Sequence, residues 1–413
     1  MNSQPFIPFH TASVGDEEVQ EVTQVLRSGW LTTGARTAQF ENEFRTYVGA
    51  AHALGVNSCT AGLHLALAGL GIGPGDQVIT TPLTFCATVN TILHVGAEPV
   101  LADIDKFGNI DPELIAAKIT AKTRAIMPVH YSGAACRMRE IWKLAREHGL
   151  FVIEDAAHAI GTHYEGRQIG SSAAEPDGCS DAVAYSFYAT KSLTTGEGGM
   201  VVTPSEALYN RMKVLCLHGI SRDAWNRYTS PGKWYYEVVD CGFKYNLPDI
   251  QSAIGLHQLR KQEAFIARRT EIARLYTRLL ADLPEITTPS EPMYGRHAWH
   301  LYPIQLGGCL DGRRAAFIDG LTAGGIGSSV HFIPITAHPY YAQFAWADPA
   351  GCPRATELWQ RMVSLPIYPN LTDDDVHRIA RTIRRLVSDA RKAVVSAHVS
   401  GQGERTPATV VGA

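Results

Sequence analysis

Residues 150–159 read LFVIEDAAHA, and residues 183–192 read VAYSFYATKS. Each is a short apolar run that ends abruptly in polar chemistry: Glu154, Asp155 and His158 in the first, Thr190 and Lys191 in the second. Runs of this kind suit strands buried on both faces, the usual state in a parallel sheet covered by helices. In such open sheets, ligands gather beyond the carboxyl ends of the strands. The two runs therefore predict both an α/β fold and the place where its chemistry sits.

The alternation continues on either side. HALGVNS (52–58) reads as a strand and TAGLHLALAGL (60–70) as a helix that stops at Gly71 and Gly73-Pro74-Gly75. DQVITT, EPVLADID and RAIMPVHYS read as strands, and FCATVNTILHVG and REIWKLAREHG as helices between them. Strands near 77, 98, 124, 151, 182 and 199 describe a largely parallel sheet covered on both faces. Before them, residues 15–27 place Val19, Val22, Val25 and Leu26 on one helical face, and residues 38–48 suggest a second helix. The character changes near 205. A long irregular stretch, ISRDAWNRYTSPGKWYYEVVDCGFKYNLPD (220–249), precedes helical sequence from about 248 to 283. HAWHLYPIQL, GSSVHFIPI and TDDDVHRIARTIRRLVSDARKA then suggest a smaller α+β unit. The expected organisation is a large domain over 1–250, a small one over 251–396, and a mobile tail over 397–413.

Composition removes several function classes. A formal charge of −3 gives no basic footprint for nucleic acid or an anionic membrane. No signal peptide opens the chain, and no apolar run approaches the ~20 residues of a spanning helix. Eight cysteines stand singly, without a C-x-x-C pair, so neither a zinc ribbon nor a disulfide framework is expected, and no metal site. They read as small buried hydrophobes of a cytoplasmic protein, like Cys86 in TFCATV. NLT at 370–372 reads as a turn rather than a glycosylation site.

Neither G-x-G-x-x-G after the first strand nor a P-loop is present. NSCTAG (57–62) can still hold an anion, because a helix N-terminus offers free N–H groups and a favourable dipole. A phosphate site, a strand-end aspartate, and a strand-end lysine 36 residues later are what pyridoxal phosphate needs. The lysine forms a Schiff base with the cofactor aldehyde. The carboxylate keeps the pyridine nitrogen protonated, so that the ring acts as an electron sink.

Eight motifs then occur in order: GWLTTG (29–34), SCTAGLHLAL (58–67), TFCATVN (84–90), EDAAHA (154–159), SFYATK (186–191), GEGGM (196–200), GFKYNLPDIQSAIGL (242–256) and SLPIYPNLTDDDV (364–376). From about residue 6 to 390 the chain resembles the DegT/StrS-type (DegT/DnrJ/EryC/StrS) sugar aminotransferases, pyridoxal-phosphate enzymes of the aspartate-aminotransferase-like fold type I. The resemblance implies that Lys191 is the Schiff-base lysine and proton carrier, that Asp155 pairs with the pyridine nitrogen, and that His158 sits by the ring hydroxyl. It implies Phe85 stacked on the ring, and Thr60, Ala61 and Ser186 at the phosphate. It also implies a homodimer with composite active sites, in which Lys244 or Asn246 crosses to the partner's phosphate. Many relatives carry asparagine where this chain has Lys244, so the choice between the two stays open.

On the substrate side the resemblance implies L-glutamate as donor and a nucleotide-linked keto-sugar as acceptor, through a pyridoxamine phosphate intermediate. Trp30, Thr32, His218, His331 and the aromatics of GKWYYE are the candidate substrate contacts. The 221–240 loop, with Trp234, Tyr235 and Tyr236, resembles that of enzymes aminating UDP-linked 4-keto-6-deoxy sugars. A TDP- or guanosine-linked acceptor and C3 amination stay open. A cyclitol (scyllo-inosose-type) ketone acceptor, a catalytically idle regulatory protein, and a lyase or racemase on the same fold are the alternatives. Lys191 argues against the dehydratase branch, which carries histidine at that place.

Overall fold

A computed structural model of the protein describes residues 5–172, 178–221 and 236–401, with side chains to residue 396. Trp234 and Tyr235 of the aromatic loop, and residues 402–413 of the tail, lie outside the described residues.

Among the described residues, twelve strands follow one another. They are β1 (His52–Val56), β2 (Gln77–Thr80), β3 (Glu98–Leu101), β4 (Thr123–Met127), β5 (Phe151–Asp155), β6 (His163–Tyr164), β7 (Arg167–Gln168), β8 (Ala182–Ser186), β9 (Gly199–Thr203), β10 (Ile286–Thr287), β11 (Tyr302–Leu306) and β12 (Met362–Leu365). Seven of them form one sheet in the order β1-β9-β8-β5-β4-β2-β3. The β3-β2-β4-β5-β8 block is parallel throughout, and β9 runs antiparallel to both β8 and β1. The expected strand positions are all occupied, and the expected α/β class holds. A second, antiparallel sheet (β10-β11-β12) is backed by helices Gln262–Leu280 and Asp373–Gly401, the last of which runs on into the tail. One buried core follows the large sheet and includes Leu256 and Leu259, while another gathers Ile7, Ile272, Ala273 and Tyr276 with β11 and β12.

Four N-terminal helices matter for the site: α1 (Asp16–Ser28), α2 (Ala35–Val48), α3 (Cys59–Gly69) and α4 (Cys86–His94). Eight of the eleven residues of α3 are buried, including His64. An all-round buried helix is what a central sheet-covering helix should be. Its start is crowded. A Cβ added to Gly199, in β9, would lie 2.6 Å from the carbonyl carbon of Ser58 and 2.7 Å from the nitrogen of Cys59. The glycine in GEGGM thus lets β9 pass against the first turn of α3. Gly199→Ala should cost about 1–3 kcal/mol by forcing that turn away. It should also weaken pyridoxal phosphate uptake, read by thermal unfolding and cofactor titration; a parent-like result in both would deny the close approach.

Helix α1 forms, but Val19 and Leu26 are 58% and 55% exposed, and its buried residues are Glu18 and Val25. Glu18 is accommodated because its carboxylate accepts from Gly15 N, Lys261 Nζ and Gln258 Nε2, each at 2.8 Å. Of that apolar face Val25 is buried and Val22 half-buried, while Val19 and Leu26 are exposed, as are Trp30 and Leu31.

Candidate active site

Asp155 closes β5 and is 5% exposed. Three donors converge on its carboxylate: Thr88 Oγ1 at 2.8 Å on Oδ2, Ala157 N at 3.1 Å on Oδ1, and Cys59 Sγ at 3.8 Å on Oδ1. No cation forms an ion pair with it among the described residues. A buried carboxylate held by donors alone is arranged to receive a cationic partner, since an isolated buried charge is costly.

Lys191 lies in the turn after β8, its N–H bonded to Tyr188 O at 2.9 Å. It is half-buried, and burial draws its pKa from 10.5 down to about 8, partly opposed by the nearby Cys59 and Asp155. Burial disfavours the ammonium, so the free amine is within reach near neutrality. The apoprotein should therefore capture pyridoxal phosphate at a rate that climbs about tenfold per pH unit and levels off above about 8. Stopped-flow absorbance checks this, and a rate still climbing at pH 10 would return the amine to its ordinary value.

His158, three residues past Asp155, is 5% exposed and lies 5.6 Å from Phe332 in a stacked pair and 4.3 Å from His300. Its Nδ1 is buried without a hydrogen bond, and burial, then Lys191, holds the imidazole neutral. Phe85, at the N-cap of α4, is 61% exposed, with its ring 6.1 Å from that of Phe332. At α3, Ser58 Oγ caps Ala61 N at 3.1 Å, so Ala61's N–H is already committed. The N–H groups of Cys59 and Thr60 have no partner among the described residues. Ser186 ends β8 and only weakly accepts from Tyr188 N, at 3.4 Å.

These residues fit pyridoxal phosphate. A carboxylate without a cation, an unpartnered imidazole nitrogen, an open aromatic face and two free N–H groups at a helix start match a pyridine nitrogen, a ring hydroxyl, a ring face and a phosphate.

The remaining candidates divide. Trp30, Thr32, His218, Lys244 and Asn246 line one cleft of about 990 Å³, with Arg36 and Asp249. Lys244 Nζ donates to Asn246 Oδ1, and Asn246 Nδ2 donates to Thr33 Oγ1 at 2.8 Å. The two rival residues are thus one bonded pair, in which the Asn246 amide is engaged at both ends and the exposed Lys244 keeps spare donors. His331 stands elsewhere. Its Nδ1 bonds Ser364 Oγ at 3.0 Å, Phe9 stacks on it at 5.3 Å, and Lys191's charge helps lower its pKa to about 4, after burial.

Sequence reasoning passed over three groups. Asp249 caps α2, its carboxylate accepting from Gly34 N at 2.8 Å, Thr37 N at 2.9 Å and Arg36 N at 3.1 Å, and so locks NLPD to GWLTTG. His10 and His300 join His158 and His331 near Lys191: burial lowers the pKa of each, followed by Arg269 at His10 and by His158 at His300, with the charge of Lys191 adding to both. Thr88 was hidden inside an apolar helix, and only its position in TFCATVN could have flagged it. Among the described residues no cluster suits a metal ion and no helix is long and apolar enough to cross a membrane.

The DegT/DnrJ/EryC1/StrS aminotransferase family model matches residues 12–384. The spore coat polysaccharide biosynthesis protein SpsC of Bacillus subtilis is 50% identical over 389 residues, which are 93% of this chain and 98% of that protein. Helicobacter pylori PseC, an aminotransferase involved in the biosynthesis of pseudoaminic acid, matches with a TM-score of 0.85 at 31% identity, covering 93% of this chain and 100% of PseC. S. venezuelae DesV, solved in complex with a ketimine intermediate, matches with a TM-score of 0.83 at 32% identity, covering 93% and 99%. With the fold, the strand-end site and these likenesses in agreement, the chain belongs to the DegT/DnrJ/EryC1/StrS aminotransferase family, whose members are sugar aminotransferases that use pyridoxal phosphate.

Proposed function

We propose that the protein transfers the amino group of L-glutamate to a nucleotide-linked keto-sugar, a UDP- or TDP-linked 4-keto-6-deoxy sugar. The observation that carries the reading is the pairing of a half-buried lysine with a buried carboxylate that lacks a cation, at adjacent strand ends. Pyridoxal phosphate, when bound, supplies an aldehyde for the amine and a ring that draws electrons from the reacting carbon. Asp155 then holds the proton on the ring nitrogen, and Phe85 covers the ring face. His158 Nδ1 meets the ring hydroxyl, and the first turn of α3 faces the phosphate. Lys191 Nζ, once free, carries a proton from the donor carbon and later delivers one to the acceptor carbon.

A homodimer supports the acceptor side. Val19, Leu26, Trp30, Leu31, Tyr236, Val238 and Val239 are large apolar side chains left exposed, of the kind a second copy covers. The cleft that Trp30 lines carries Lys244, a cation suited to phosphate, and Arg36, which pairs with Glu21 at 2.7 Å. In this reading Lys244, rather than the committed Asn246, crosses to the partner's phosphate. The relatives' names point to carbohydrate building: SpsC to spore coat polysaccharide, PseC to pseudoaminic acid. Eight free cysteines, four of them buried, fit a reducing cytoplasm.

The test is a panel of UDP-, TDP- and GDP-linked keto-sugars, with a cyclitol ketone, offered with glutamate. Aminated nucleotide-sugar by mass, with stoichiometric 2-oxoglutarate, is the expected result. Amination of the cyclitol alone would replace the acceptor class. Absence of 2-oxoglutarate from glutamate and the loaded protein would leave a catalytically idle cofactor binder.

A further inference from the structure

Asp155 is held by a chain of hydroxyls from the segment that carries Phe85. Thr88 Oγ1 lies 2.8 Å from Asp155 Oδ2, and Thr84 Oγ1 lies 2.7 Å from Thr88 Oγ1. All three residues are buried, at 2%, 0% and 5% exposure for Thr84, Thr88 and Asp155. The direction of the chain follows from donor counting. An ionised carboxylate only accepts, so Thr88's single proton points at Asp155. Thr88's oxygen must then accept from Thr84, and Thr84's proton is committed too. Every proton in the chain points toward the carboxylate. Thr88 sits in the first turn of α4, directly after the exposed Phe85, so one short helix both presents the aromatic ring and steers the aspartate.

We propose that Thr84 and Thr88 are positioning residues: a one-way hydroxyl relay that orients the Asp155 carboxylate toward the ring nitrogen of pyridoxal phosphate. The proposal rests on Asp155 as the ring-nitrogen partner. Its physical basis is that hydrogen bonds to a charged acceptor are shorter and stronger than neutral ones, and the more so in a buried setting. The backbone of Asp155 is fixed independently, through His130 N to Asp155 O at 3.1 Å and Asp155 N to Pro128 O at 2.9 Å. The relay therefore controls the carboxylate's rotation rather than the course of the strand.

Thr88→Val keeps the shape and removes the hydroxyl. It should weaken equilibrium binding of pyridoxal phosphate about tenfold, as expected for one lost bond to a charged group. It should also shift the visible absorption band of the loaded protein, because that band responds to the charge facing the ring nitrogen. Thr88→Ser restores the hydroxyl and should return both readings to within about twofold of the parent. Thr84→Val, which leaves the Thr88–Asp155 bond standing, should weaken binding about threefold. Parent-like affinity and band in Thr88→Val would overturn the relay, as would a Thr88→Ser protein that stays impaired. Where Thr88→Val does not fold, Thr84→Val decides, and parent-like values there overturn the relay. Both readings are taken before any sugar is added, so a wrong acceptor leaves them untouched. A parent protein that takes up no pyridoxal phosphate overturns the relay and the cofactor role of Asp155 together.

Discussion

Lys191→Ala is expected to abolish the visible band that the parent develops with pyridoxal phosphate and to slow amino transfer by on the order of 10⁴-fold. On the roles proposed for Lys191, two functions are lost at once: the amine that captures the aldehyde and the base that moves the proton. Lys191→Arg separates charge from chemistry. A guanidinium keeps the positive charge near Asp155 but does not deprotonate in a protein. If Lys191 acts through its free amine, the arginine variant is as inactive as the alanine one. A partly active Lys191→Arg protein would show that charge, rather than a transferable proton, is what this position supplies. Cofactor retained in Lys191→Ala with an unchanged band would move the covalent role to another residue.

Asp155→Asn is the second large effect, and it should act in opposite directions on the two forms of the protein. In the apoprotein the carboxylate is buried among donors without a cation, a state whose desolvation is only partly offset. The neutral, isosteric amide removes that charge, so the apoprotein should unfold at the same temperature or a higher one. On the proposed placement the loaded protein loses the charge opposite the ring nitrogen, and turnover should fall about 10²–10³-fold. Calorimetric unfolding of both forms, set beside turnover, checks the pair of effects. A destabilised apoprotein with normal turnover would make Asp155 a structural residue and the strand-end site an incidental one.

Much of this site was legible from local pattern. Lys191 and Asp155 stand where apolar strands stop, and the start of α3 is marked by Ser58 before a helical run. Strand-end position depends on neighbours in the chain, so neighbours in the chain reveal it. The outward face of α1 was not legible in the same way. Periodicity shows that Val19, Val22, Val25 and Leu26 can share a side, but burial goes to whichever side meets a partner. Here α1 packs on helix Asp249–Arg260 through Val25 and a hydrogen-bonded Glu18. The division of the substrate candidates was hidden for the same reason: His331 and Trp30 belong to motifs of equal prominence, yet only His331 reaches the surroundings of Lys191.

Sequence alone was enough for the α/β alternation, the strand ends where Asp155 and Lys191 stand and the residue types that suit pyridoxal phosphate, because each depends on spacing along a few residues. The tertiary structure decided which groups act together. Thr88 and Asp155 are 67 positions apart, Asp249 and Thr37 are 212 apart, and the charge of Lys191 is felt by His10, His158, His300 and His331 from four separate segments. Hydrogen bonds and desolvation act over a few ångströms of space and are blind to distance along the chain, so only the folded packing could say which hydroxyl holds the carboxylate and which imidazoles face the amine.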